Sequence, residues 1–417
     1  MVNWRDLIRR PSKKHDDASR AVEEEALAIV PCKRFEDRVA AFESCLMSPV
    51  IPLNVFRSLA FNGVPEKNGL RSICWKILLG YMPLDRSERA ESLQTQRGHY
   101  YKFALELLVN PFQDRTPRAV AVEPVPEQIE NPLLETSGGT SERSGVWSQF
   151  FDDKYLHGEI TKDVHRTHSG IHFFSQQIDY SVFMPRASFG EKGELLDKTK
   201  RQFETHHDVI SRILLLYAKL NPGVRYVQGM NEILAPIYYV FAQDPDPSFR
   251  MHAEPDAFFC FTLVMSELKD RFLASMDGTD SGIGSCIEEY KDVLRRADPE
   301  LFLHLEMHHV DARYYSLRWF TLLCSQEFHL PDVLRLWDSL FADPYRFDFL
   351  QYYCCAMTIC IRSRLLSMGY SEMLQTLQRY PQIDMLEVLN KAVHLRTHMT
   401  GHRVSFSENI PYTHRGP

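Results

Sequence analysis

Apolar side chains recur at three- and four-residue spacing from about Phe35 to beyond residue 390, and alternating apolar–polar runs are scarce. That period places one apolar stripe along a helix, whereas a half-buried strand needs a period of two, so the chain is expected to be all-α. Val39, Phe42 and Leu46 begin the pattern, and Phe56, Leu59 and Ala60 continue it. Residues 69–79 and 101–109 each carry one apolar face. Phe203, Ile210, Ile213, Leu214, Tyr217 and Leu220 line another, and 258–276, 315–324, 333–341 and 347–368 repeat the habit. Turn-forming residues fall between these segments at Asn62-Gly63-Val64-Pro65, Pro83 and Asn221-Pro222-Gly223. Pro331 suits a first helical turn and Gly369 a C-terminal cap. No repeat of fixed period is present, which disfavours a helical repeat adaptor.

Three stretches depart from the pattern. Residues 1–35 are mixed in charge, with Arg9-Arg10-Pro11-Ser12-Lys13-Lys14-His15 followed by Glu23-Glu24-Glu25, and are read as a mobile N-terminal extension. Trp4, Leu7 and Ile8 make at most one apolar turn within it. Residues 113–145 are rich in Pro, Glu, Thr, Ser and Gly, so burial cannot offset the entropy of ordering them. They are expected to form a mobile insertion, with a second loop at 185–200. One helical domain then spans 36–395, and 396–417 is a tail.

Composition removes several function classes. Forty-eight basic against fifty-five acidic residues give a net charge of −7, which lacks the basic field a nucleic-acid binder needs. Nine cysteines, an odd number with no C-x-x-C pair, suggest reduced buried thiols rather than disulfides or a zinc site. The segment MVNWRDLIRR has no apolar core of the secretory kind. The longest apolar runs, 233–242 and 352–361, reach about ten residues where a membrane span needs roughly 18. A cytosolic protein is expected.

Common catalytic signatures are missing: no nucleophile elbow, no phosphate-cradling P-loop, no H-E-x-x-H and no dinucleotide fingerprint. Adjacent histidines such as His206/His207 and His308/His309 point to different helix faces, and no acidic partner sits at ligand spacing beside all three pairs (His165/His168 is the third), so no metal site is expected. Asp152-Asp153 and Glu288-Glu289 are sequence neighbours that diverge on a helix and read as solvated faces.

Three short segments look different. Arg71 and Trp75 stand one helical turn apart, so the guanidinium can lie over the indole or bond a nearby carbonyl; a helix-packing pair is the favoured reading. In Ile160-Thr161-Lys162-Asp163-Val164-His165-Arg166-Thr167, Asp163 lies one turn before Arg166 and can orient it. This is either a preset cation at a helix end or an ordinary surface ion pair. In Tyr226-Val227-Gln228-Gly229-Met230-Asn231, Gln228 sits in a short turn, Gly229 allows close backbone approach, and Asn231 is a plausible N-cap. That amide can position a water molecule or brace its own loop.

Taken together and in this order, R-x-x-x-W, I-x-x-D-x-x-R and Y-x-Q-G-M-N resemble the TBC-domain family of Rab GTPase-activating proteins. Leu317-Arg318-Trp319 and Leu334-Arg335-Leu336-Trp337-Asp338-Ser339-Leu340-Phe341 extend the likeness, and Tyr217-Ala218-Lys219-Leu220-Asn221-Pro222-Gly223 is similar to its member-thirteen branch. The resemblance implies a TBC-type domain of two packed helical subdomains with loop insertions, its core motifs within about 63–345. It implies a GTPase activator whose catalytic residues are Arg166 and Gln228, two fingers inserted into the nucleotide site of a partner. Arg71, Trp75, Ile160, Asp163, Tyr226, Gly229 and Asn231 would support or orient them. The implied partner is a GTP-bound Rab, which itself carries the GTP and Mg2+, so no cofactor belongs to this chain. Membrane contact would then be indirect, through the Rab. The alternative is a catalytically silent Rab-binding effector or scaffold, whose expected sign is a missing finger.

Overall fold

The computed structural model describes residues 35–108, 141–179, 204–272 and 282–400. The N-terminal extension up to residue 34, most of the 113–145 insertion, the 185–200 loop and the tail from 401 lie outside the described residues. Every named element among the described residues is helical, and the only β pairing there is two isolated bridges, Val50 with Asp85 and Gln177 with Thr205. The chain is all-α, as its periodicity requires.

In chain order the first helices are α1 (Phe35–Met47), α2 (Leu53–Phe61), α3 (Leu70–Leu78), α4 (Arg89–Leu107) and α5 (Ser141–Val164). Next come α6 (His206–Leu220), α7 (Met230–Ala242), α8 (Pro247–Arg250), α9 (Ala253–Phe272), α10 (Ile283–Ala297) and α11 (Pro299–Met307). The last are α12 (Arg313–Thr321), α13 (Leu330–Ala342), α14 (Asp348–Cys360), α15 (Arg362–Leu365), α16 (Tyr370–Gln378) and α17 (Met385–Thr400). Helix α5 begins inside the stretch read as an insertion, so that boundary moves from 145 to 140. The 347–368 segment is two helices that part at Ile361, and Gly369 opens α16 instead of capping what precedes it.

The described residues divide into two compact units, one from within 1–100 and 227–417, the other from within 101–226. The first is held by charged groups buried inside apolar helices. Asp338 of α13, fully buried, accepts from Trp75 Nε1 at 2.7 Å, from Arg71 Nε at 3.1 Å and from the Val64 backbone N–H at 2.9 Å. A buried carboxylate is costly unless paired and hydrogen-bonded, and here three donors from the α2–α3 turn and α3 meet that need. Around it Trp75 packs on Phe341 and Trp337, with ring centroids 5.0 and 6.1 Å away. Asp256 of α9 plays the same part for Lys76 (2.7 Å), Arg97 (2.8 Å) and Tyr81 (2.7 Å). Burial resists ionisation of Asp256, but Lys76 and Arg97 outweigh it and hold its pKa below the ordinary value.

The second unit is built on α5 against α6. Thr205 and Asp208 form a reciprocal capping box at the start of α6, which pairs the Thr205 and Asp208 backbone N–H groups. Every residue from Val209 to Ala218 is buried, so α6 is enclosed on all sides, and the Asn221 amide bonds the Tyr217 carbonyl at 2.8 Å where the helix stops. Pro222 and Gly223 then prevent its continuation.

Candidate functional site

Helix α5 ends at Val164, and Arg166 lies in the turn that follows. The root of Arg166 is fixed from both sides. Ile160 and Val164 are fully buried, and so is Thr167, whose hydroxyl donates to the Asp163 carbonyl at 3.1 Å. The Arg166 backbone N–H donates to the same carbonyl at 3.0 Å. Its side chain is nonetheless 76% exposed, with Nη1 3.7 Å from Asp163 Oδ1. That separation is an ion pair beyond hydrogen-bond range, so the guanidinium keeps its donors for another acceptor.

Asp163 is itself braced: the Tyr226 hydroxyl donates to its Oδ2 at 3.0 Å. The structure therefore joins Asp163, Arg166 and Tyr226 in one set. Nearby rings stiffen the support. His206 stacks on Phe173 at 4.0 Å and His168 on Phe174 at 5.7 Å. Burial pushes both imidazoles down to about 4, with Asp179 opposing and His207 adding to the shift at His206. They are neutral packing groups at pH 7, and among the described residues no cluster of His, Cys, Asp or Glu is able to hold a metal ion.

Gln228, exposed, belongs to the first unit, in the turn that opens α7. The helix starts at Met230 and its N-cap is Gly229, not Asn231. Gly229 has φ +103°, a conformation that favours glycine, and a Cβ there would stand 2.8 Å from Leu322 Cδ2, so that side chain would have to shift. Asn231 is buried and reaches back, its Oδ1 accepting from the Gly229 N–H at 3.1 Å. The Met230 N–H bonds the Val227 carbonyl at 3.1 Å. Gln228 is thus an exposed amide on a backbone closed on both sides.

Arg71 and Trp75 do not stack; both bind Asp338 in the α3–α13 junction, which makes them packing residues of the first unit. Burial works against the Arg71 charge, yet Asp338 and Glu66 hold its pKa above the ordinary value. Asp338 was the supporting residue that spacing did not single out. An acid inside the apolar run 333–341 was the available signal, since such a group must be paired.

The Rab-GTPase-TBC domain family matches residues 195–366. TBC1 domain family member 13 of Mus musculus is 37% identical over 399 residues, covering 87% of this chain and 98% of that protein. The chain belongs to this family. GTPase-activating protein gyp1 of Schizosaccharomyces pombe is 26% identical, over 88% of this chain and 61% of its own length. The crystal structure of the Ypt/Rab-GAP domain of Gyp1p superposes with a TM-score of 0.65 at 20% identity, covering 89% of this chain and all of that one. That likeness extends the family's all-α fold to a distant sequence.

Proposed function

We propose that this chain activates GTP hydrolysis by Rab proteins, with Arg166 and Gln228 supplied in trans. Family membership supports the activity, as do the names borne by gyp1 and by the solved Ypt/Rab-GAP domain. The observation that carries the residue assignment is the Arg166 side chain, 76% exposed on a root tied to a buried helix end.

In GTP hydrolysis negative charge spreads over the transferring phosphoryl oxygens and the leaving bridge. A planar guanidinium can donate to two of these oxygens at once, which a lysine ammonium cannot do with fixed geometry. An arginine finger contributes about 10³–10⁵ in rate, or roughly 4–7 kcal/mol of barrier. The Gln228 amide accepts from the attacking water and donates to the phosphoryl group, which aligns an in-line attack. Nucleotide and Mg2+ belong to the Rab, and the Rab also gives the chain its membrane address in vesicle traffic.

The test is single-turnover GTP hydrolysis over a panel of GTP-loaded Rabs, with the chain and its Arg166→Ala variant side by side. Acceleration of one or a few Rabs by about 10³ or more, lost in the variant, is the expected result. Binding to a Rab with no acceleration would instead identify a silent effector.

A further inference from the structure

We propose that Arg225 is a second recognition cation of this chain, contacting an anionic oxygen group that the GTPase partner brings to the Tyr226–Asp163 edge. This rests on the GTPase-activating reading above. Arg225 has φ +58°, the left-handed region that a Cβ disfavours and that glycine or asparagine enters readily. Five other non-glycine residues among those described share the sign of φ, so the conformation by itself does not set Arg225 apart. Leu323 and Cys324 are buried in the core, and the His168 ring stacks on Phe174. Asn68 is a residue type suited to the region. His309 closes α11, where its N–H and that of Val310 return to the carbonyls of Glu306 and Leu305.

Arg225 closes a turn as well, its N–H bonding the Asn221 carbonyl at 2.7 Å, but only its backbone is used. Its side chain is exposed, and no hydrogen bond, ion pair or ring contact engages it among the described residues. The turn would close at lower conformational cost with glycine, so the fold gives no reason for arginine. Position gives one. The next residue, Tyr226, is tied to Asp163 Oδ2 at 3.0 Å, and Asp163 also pairs with Arg166. Arg225 therefore stands on a segment anchored to the same carboxylate as the proposed finger, in a chain whose net charge is −7. A cation placed so steers and holds an anionic partner. The anion is an acidic side chain of the GTPase or a phosphate of its nucleotide.

The test compares Arg225→Gly, Arg225→Lys and Arg225→Glu in the full chain, with kcat and KM measured on the most responsive Rab at several salt concentrations. Arg225→Gly is expected to leave the melting temperature unchanged or higher, because it relieves the backbone, while kcat/KM falls about tenfold. Arg225→Lys keeps part of the activity, and Arg225→Glu loses more than Arg225→Gly. A rise in KM with a shallower salt dependence assigns the contact to a GTPase carboxylate; a fall in kcat at constant KM assigns it to the nucleotide. Unchanged kcat/KM in Arg225→Gly, or a loss of melting temperature matching the loss of activity, overturns the proposal. Wild-type chain that stimulates no Rab would instead defeat the parent reading.

Discussion

Tyr226 and Arg166 share the carboxylate of Asp163, and the two contacts differ in kind. The tyrosine bond at 3.0 Å holds the acid in place, whereas the arginine contact at 3.7 Å only biases the guanidinium. The proposed finger role of Arg166 is served by that inequality, since a tighter pair would have to be broken on binding. Tyr226→Phe should therefore cost about 1 kcal/mol of stability and lower kcat more than it raises KM. Thermal melts and single-turnover rates read the two effects separately. Titration offers a second check at this scale. His168 and His206 are depressed to about 4, so their stabilising contribution is full above the unfolded value near 6.5 and is lost as pH falls toward 4. Asp348, lifted to about 6 first by burial and then by Asp343, acts in the opposite sense, losing its contribution as pH rises toward 6. His206→Phe keeps the stack on Phe173 but cannot titrate, and should shrink the drop in melting temperature between pH 7 and 5. Parallel curves for wild type and variant would refute this.

Between elements, the decisive contacts join residues far apart in the chain. Asp338 lies 263 positions from Trp75, and no helical period reveals such a partner. Asp338→Ala should destabilise by about 3–5 kcal/mol, because it leaves the Arg71 charge, the Trp75 N–H and the Val64 N–H without their acceptor. Adding Arg71→Met should recover only part of this in denaturant melts, since the two N–H groups remain unpaired. Gly229→Ala forces a Cβ into the left-handed region and against Leu322, costing about 2 kcal/mol or more and displacing Gln228. Loss of stimulation should exceed that of a Gln228-neutral destabilised variant with equal melting temperature. The helices themselves were legible because apolar residues at 3.6 spacing leave little choice. Their ends were less so. Asn231 looked like a cap, but its amide bonds backward from the second helical residue, and Gly229 takes the cap position. The start of α5 was hidden because Ser141-Glu142-Arg143-Ser144-Gly145 carries no apolar stripe.

At the scale of the whole molecule, the proposed function has the chain supply side chains to chemistry whose nucleotide and metal lie in a Rab. The motifs name Arg166 and Gln228, the residues of the proposal, and also the carboxylate behind the arginine, whose contact with Arg166 the structure shows. The bond from Tyr226 to that carboxylate was not legible in them, because it depends on how the segment after α6 returns to the end of α5. The roles of both fingers are tested most directly with a responsive Rab whose own switch glutamine has been replaced. If Gln228 orients the water, wild-type chain should still accelerate hydrolysis by this Rab, and Gln228→Ala should lose about 10²-fold or more. If wild-type chain no longer accelerates the altered Rab, while Gln228→Ala remains fully active on the natural one, the water is oriented by the Rab and the two-finger account is wrong.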